Sequence, residues 1–374
     1  MKKRIMAMLL CVAMVAAMAV GCGGGSDSSE GGDGGAKSDL NIGVFYYTYA
    51  DTYIASVRTA LDAQLDEMGV TYQDYDANNN QTTQNEQIDT AIQTGANVLI
   101  VNIVTSGSVD ASSQIVEKAK AADIPVIFFN RAVEGDEDEG KVLGSYDKCA
   151  FVGTDAPEAG HMQGEMIGEY LTVHYDSLDL NGDGQISYVM FKGQEGNPEA
   201  EYRTQYAVED CDAALEAAGK PALTFYDANN ADKFLVDRNG TWSAQASNEY
   251  MTTILSEYTE ANNNMVELVI CNNDGMAEGV ISALNDKGYN LGDGNCTTIP
   301  VFGVDATDAA KQLIADGKMT GTIKQDAEGM ANGIAYLAKN IQAGKDLMAD
   351  TDSFNISEKV SNKIYIPYAT YTGE

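Results

Sequence analysis

Beyond residue 38 the chain alternates short apolar runs with stretches whose apolar positions recur every three to four residues. Segments 40–47, 96–104 and 124–130 are rich in β-branched and aromatic residues and predict strands. Between them, 51–68, 81–94 and 108–122 carry the helical period, with Ile54, Val57, Leu61, Leu65 and Met68 marking one apolar face. The alternation then restarts, predicting strands at 151–154, 186–191, 223–226, 265–271 and 300–304 and helices at 157–171, 198–218, 243–258 and 275–287. Repeated strand then helix implies mostly parallel sheets covered on both faces. About 335 residues exceed one ordinary core, so the fold class expected is α/β, with two doubly wound, Rossmann-like lobes.

Residues 1–38 follow another pattern. Lys2, Lys3 and Arg4 precede an apolar run of 16 residues from Ile5 to Val20, shorter than the ~20 needed to span a bilayer. Small residues then lead to Cys22, which gives the plan of a signal peptide over 1–21. Cys22 stands where a bacterial lipoprotein carries its lipid, and the Gly/Ser/Asp-rich stretch of 22–38 reads as a flexible tether. The expectation is an extracytoplasmic protein, anchored to the cell membrane only through that lipid.

Removal of the three leading basic residues from a total of 23 Lys and Arg leaves 20, against 56 Asp and Glu. So acidic a surface repels phosphate backbones and anionic headgroups, which excludes a nucleic-acid partner and direct lipid binding. Cys149, Cys211, Cys271 and Cys296 show neither zinc nor disulfide-framework spacing. They read as small apolar fillers, with one disulfide open.

Polar residues gather at the predicted strand ends, where ligands of doubly wound folds sit: Asn130, Arg131, Asp155, Asn272, Asn273, Asp274, Asp305 and Gln325. No phosphate-binding glycine loop follows any strand, and no nucleophile motif accompanies the two histidines. The chain therefore reads as a binder rather than an enzyme. Carboxylates, amides and arginines together suit a neutral polyhydroxylated ligand, because a hydroxyl both donates and accepts. Trp242, the single tryptophan, precedes a predicted helix and offers a flat apolar face to a sugar ring or to the loop itself.

Asp179, Asn181 and Asp183 recur at every second position before Gly184, and the carbonyl of Gln185 follows. Oxygen ligands at that spacing predict a Ca²⁺ loop. The twelfth position is Met190, inside a predicted strand, so the bidentate Glu of an EF-hand is missing. An Asx-turn cluster without an ion is the alternative.

Taken together, Ile42-Gly43-Val44, the 124–130 run ending in Phe128-Phe129-Asn130, Val152-Gly153-Thr154-Asp155, the oxygen-rich loop, Cys271-Asn272-Asn273-Asp274 and Val301-Phe302-Gly303-Val304-Asp305-Ala306 resemble the galactose/glucose-binding proteins of bacterial ABC importers. The resemblance implies the type I periplasmic-binding-protein fold, with lobes over 39–154 plus 325–364 and over 155–324 plus 365–374. Three hinge crossings are then expected near 154–155, 324–326 and 365–367. It implies sugar contacts from Asp51, Tyr53, Asn130, Asn197, Glu199, Arg203, Trp242, Asn273, Asp305 and Gln325. Tyr53, Asn197, Glu199 and Gln325 stand where the family has Phe, His, Asp and Asn. It also implies that Glu267 supplies the missing calcium carboxylate and that Ser187 takes the last loop position. The ligand expected is galactose or glucose, delivered to a permease by a monomer whose closed form a chemoreceptor can also read. A pentose, a polyol, or a sensory role without transport are the alternatives.

Overall fold

A computed structural model describes residues 39–373; the expected signal, Cys22 and the tether lie outside the described residues. In chain order, β1 (Asn41–Tyr46), α1 (Thr52–Met68), β2 (Thr71–Asp76), α2 (Gln81–Gln93), β3 (Val98–Val101), α3 (Val109–Ala121), β4 (Val126–Phe129) and β5 (Cys149–Gly153) build a first lobe. A second lobe contains α4 (Ala156–Leu178), β6 (Ser187–Lys192), α5 (Pro198–Ala217), β7 (Thr224–Phe225), β8 (Leu235–Val236), α6 (Ala244–Glu257), β9 (Leu268–Cys271), α7 (Asp274–Asp286), β10 (Val301–Asp305), α8 (Asp308–Ala315) and β11 (Gly321–Gln325). The chain returns to the first lobe with α9 (Ala327–Gln342), β12 (Asn355–Ile356) and β13 (Lys363–Tyr365), and ends in the second with β14 (Tyr368–Tyr371).

The first sheet runs β12-β13-β5-β4-β3-β1-β2 and the second β14-β11-β10-β9-β6-β7, with β8 also pairing β6. All pairs are parallel except β12–β13 and β11–β14. Strands β3 and β4 are buried at every position and take the sheet centre, as continuous apolar runs must. β2, Thr-Tyr-Gln-Asp-Tyr-Asp, lies at an edge and has no buried residue. The sequence pattern predicts no strand there, because its apolar content is too low to register.

Helix boundaries follow cap chemistry. Asp51 accepts the Ile54 N–H to open α1, and Gly69 closes it at φ +67°. Its predicted stripe of Ile54, Val57, Leu61 and Leu65 is fully buried in the first core. α4 runs seven residues beyond its predicted end at 171, because Tyr175 and Leu178 continue its buried face. Gly160, Gly164 and Gly168 repeat along that helix; a Cβ at any of them would press into Tyr202, Tyr206 or Ala214 of α5. This glycine stripe lets α4 and α5 pack backbone to backbone.

The chain passes between the sheets at 154–155, 326 and 366–367. The Thr154 and Tyr368 hydroxyls, 2.8 Å apart, tie two of these crossings together. Gln325 ends a strand of the second sheet and Tyr365 one of the first, each a residue past the partition expected from sequence. Cys149, Cys211, Cys271 and Cys296 are free, the first three buried among apolar neighbours.

Candidate functional site

The carboxyl ends of both sheets face a cavity between the lobes, with about 360 Å³ of space free of protein atoms, of which the centre of a water molecule can reach about 40 Å³. All ten residues expected from sequence line it, joined by Tyr47 and Arg131.

Three of them are helix caps. Asp51 caps α1, Asn197 caps α5 through the Ala200 N–H, and Asn273 caps α7 through the Met276 N–H. Each thereby brings the positive end of a helix to the cavity wall. Asn130 follows β4, Asp305 ends β10 and Gln325 ends β11. Four non-glycine residues here take positive φ: Asn130 (60°), Trp242 (56°), Asp305 (129°) and Ala306 (54°). Such backbone persists where the surroundings over-determine it, and it clusters at binding sites.

Neighbouring side chains hold the polar groups in place. Tyr47 donates its hydroxyl to Asp51 Oδ2 at 2.6 Å, and the Arg131 guanidinium lies 4.2 Å from the centre of the Tyr47 ring. Fully buried Asn102 donates to Asn130 Oδ1 at 3.1 Å and to the Phe129 carbonyl at 3.2 Å, fixing Asn130 at the strand end. Arg203 donates to the Asn272 carbonyl (2.9 Å), Gln325 Oε1 (3.1 Å) and the Tyr368 hydroxyl (3.2 Å), and lies 5.7 Å from the Trp242 ring centre. Glu199, only 7% exposed, reaches from α5 to the Ala132 N–H (3.3 Å) and the Ser106 hydroxyl (3.4 Å) of the first lobe.

Burial sets the electrostatics. It pushes the Asp305 carboxyl well above its ordinary range, with Asp274 adding repulsion and Arg203 opposing both. Burial and then Asp51 raise the Tyr47 phenol, and burial and then Asp305 raise that of Tyr53. Burial works against the charge of Arg203, but Tyr368 and Asp305 outweigh it and hold the guanidinium protonated. Four buried donors of the cavity lining have no partner: Arg131 Nε, Arg203 Nε, Trp242 Nε1 and Gln325 Nε2. Buried polar atoms are rarely left unpaired, so these four donors are available to acceptor oxygens. Tyr47 was not expected here; Arg131 stood with Asn130 among the polar strand-end residues but outside the ten contacts that the resemblance implies.

A profile of the periplasmic binding protein domain family matches residues 42–346. The D-galactose/methyl-galactoside binding periplasmic protein MglB of Haemophilus influenzae is 33% identical over 332 residues, 88% of this chain and 89% of that protein. The chain belongs to the periplasmic binding protein family. Solved structures agree on the fold. An ABC transporter solute binding protein from Clostridium phytofermentans with bound β-D-glucose has a TM-score of 0.67 at 20% identity, covering 89% of this chain and 94% of that one. One from Bacillus halodurans with bound myo-inositol has a TM-score of 0.66 at 23% identity, covering 92% and 96%. This periplasmic binding protein is therefore an extracytoplasmic solute binder of type I fold and not an enzyme.

The oxygen-rich loop starts where α4 ends. Asp179 accepts the N–H groups of Asp183 (3.1 Å) and Gly184 (2.9 Å), Asn181 accepts that of Asp183 (2.8 Å), and Asp183 accepts that of Gln185 (2.8 Å). Fully buried Glu267 lies beside it, accepting from the N–H groups of Leu180 (2.8 Å), Asn181 (3.3 Å) and Ser187 (2.8 Å). The Ser187 hydroxyl donates to the Met265 carbonyl and to Glu267, so it orients that carboxylate. The side chain of Gln185 accepts from Thr224, leaving its carbonyl as the expected ligand atom. Among the described residues no group of three His, Cys, Asp or Glu gathers as a metal site. The donor set is instead mixed: two aspartates, an asparagine, a carbonyl and Glu267. All are hard oxygens, which fits Ca²⁺ rather than a softer metal. The loop side chains keep lone pairs free, while both Glu267 oxygens already accept two hydrogen bonds each, so Glu267 would have to exchange some of them for the ion.

Proposed function

We propose that the protein captures a monosaccharide, galactose or glucose first, between its two lobes and delivers it to the permease of an ABC importer. The observation that carries this reading is one cavity lined both by the carboxyl groups of Asp51, Glu199 and Asp305 and by Arg131, Arg203, Trp242 and Gln325, each of which keeps an unpartnered buried donor. Sugar hydroxyls satisfy both sets at once. Tyr53 and Trp242 supply apolar ring faces, and the similarity to a galactoside-binding protein supports the ligand class. Hinge motion at the three crossings would open and close the cleft, ligand contacts to both lobes favouring the closed form. Cys22 would hold the protein to the membrane, and Ca²⁺ at Asp179, Asn181, Asp183, Gln185, Ser187 and Glu267 would brace the second lobe.

The small water-reachable space supports a second reading, a pentose or compact polyol in the same cavity. Titrating the fluorescence of Trp242 with galactose, glucose, xylose, arabinose, ribose and xylitol separates the two. Saturation by a hexose at micromolar concentration is expected, and Trp242→Ala should weaken it by about 100-fold, or ~2.7 kcal/mol. Saturation by pentose or polyol alone would select the second reading, and silence to all six would overturn both.

A further inference from the structure

A second cavity lies at the mouth of the cleft, with about 600 Å³ of free space, of which a water centre can reach about 280 Å³. Asn79, Gln81, Thr105 and Ser106 of the first lobe line it on one side, and Gln194 and Asn197 of the second on the other. Asn197 also lines the inner cavity, so the two spaces share a wall. That wall is thin. The amide oxygen of Gln194 accepts from Arg131 Nη2 at 2.5 Å and from Asn197 Nδ2 at 3.2 Å, one hydrogen-bonded side chain spanning the cleft.

The outer cavity is finished as a site. Asn79 donates to the Asn239 carbonyl of the opposite lobe at 2.9 Å, roofing the mouth. Its Oδ1 is buried and accepts from nothing. No aromatic ring lines this space, and apart from Val104 and Gly196 every lining side chain is polar. An apolar substituent would gain no stacking platform here, whereas hydroxyls would find amide and hydroxyl partners.

We infer that the mouth cavity is an outer subsite for a second glycosyl unit, linked through a glycosidic oxygen to the ring in the inner cavity. Gln194 is the side chain that must turn aside for that oxygen to pass. The inference rests on the monosaccharide reading above and extends its ligand class to short glycosides.

Thr105 lines only the outer cavity, and its side chain is exposed. Thr105→Trp therefore fills the mouth without touching the inner site. Calorimetric titration of the wild type and this variant with galactose, glucose, lactose, melibiose and cellobiose tests the inference. At least one disaccharide should bind the wild type within about tenfold of a monosaccharide. Thr105→Trp should weaken that disaccharide by at least about tenfold and leave the monosaccharide within about twofold, which also shows the variant to be folded. Binding of monosaccharides with no disaccharide response overturns the outer subsite and leaves the inner reading intact. Disaccharide affinity unchanged in Thr105→Trp, or both ligands weakened equally, also overturns it. Silence to all five sugars overturns both.

Discussion

At the scale of single residues, the site depends on side chains fixed by neighbours that touch no ligand. Gly193 is one such position. A Cβ there would overlap the six-membered ring of Trp242, so the indole lies flat on bare backbone. Gly193→Ala must push the ring into the cavity, and we expect ligand affinity to fall by about tenfold or more while the protein stays folded. Equal affinity in calorimetry would show that the ring is not set by this contact. Asn102 works similarly on Asn130, and neither position is distinguishable from an ordinary polar or turn residue in the sequence.

Secondary elements carry two further consequences. Asp74 on β2 faces Asp62 of α1, with Arg58 and Tyr46 nearby; burial first, and Asp62 second, raise its carboxyl from 3.8 to about 7. Between those values the folded chain keeps a proton that the unfolded chain has released, so this group makes stability fall as pH rises from about 4 to about 7. Asp74→Asn removes that dependence. The variant should melt above the wild type at about pH 8, with the gap closing toward pH 4; a gap independent of pH would point to packing instead. In the second lobe, Glu267→Gln should abolish the rise in melting temperature that added calcium gives the wild type. No response of the wild type to calcium or chelator would exclude the ion from this loop and leave the Asx turns as its whole explanation.

For the whole molecule, the question is what holds the lobes together. Glu199 crosses from α5 to Ala132 and Ser106, Gln194 meets Arg131, and the Tyr202 hydroxyl meets Asp136. Hydrogen bonds to a charged group are worth ~1.5–3 kcal/mol, enough to bias an open–closed equilibrium by tenfold. Glu199→Ala is therefore expected to enlarge the ligand-free radius of gyration in small-angle scattering and to weaken ligand binding by about tenfold. An unchanged radius would mean that the lobes close without this contact.

The hydrophobic pattern was sufficient for the strand–helix alternation and for two doubly wound lobes, whereas the set of ten residues now found around one cavity came from the resemblance to sugar-binding proteins. The alternation rests on apolar period, and local chemistry also marked the polar strand ends at Asn130, Asn273, Asp305 and Gln325; the caps at Asp51 and Asn197 became visible only in the structure. Polar edge strand β2 escaped the pattern, as did the full length of α4, because both depend on what a neighbouring element covers. The inward place of Tyr47, the reach of Glu199 across the cleft and the contact of Gln194 with Arg131 were decided only by tertiary structure. Each joins residues far apart in the chain, and no local propensity specifies which side chains of one lobe will meet those of the other.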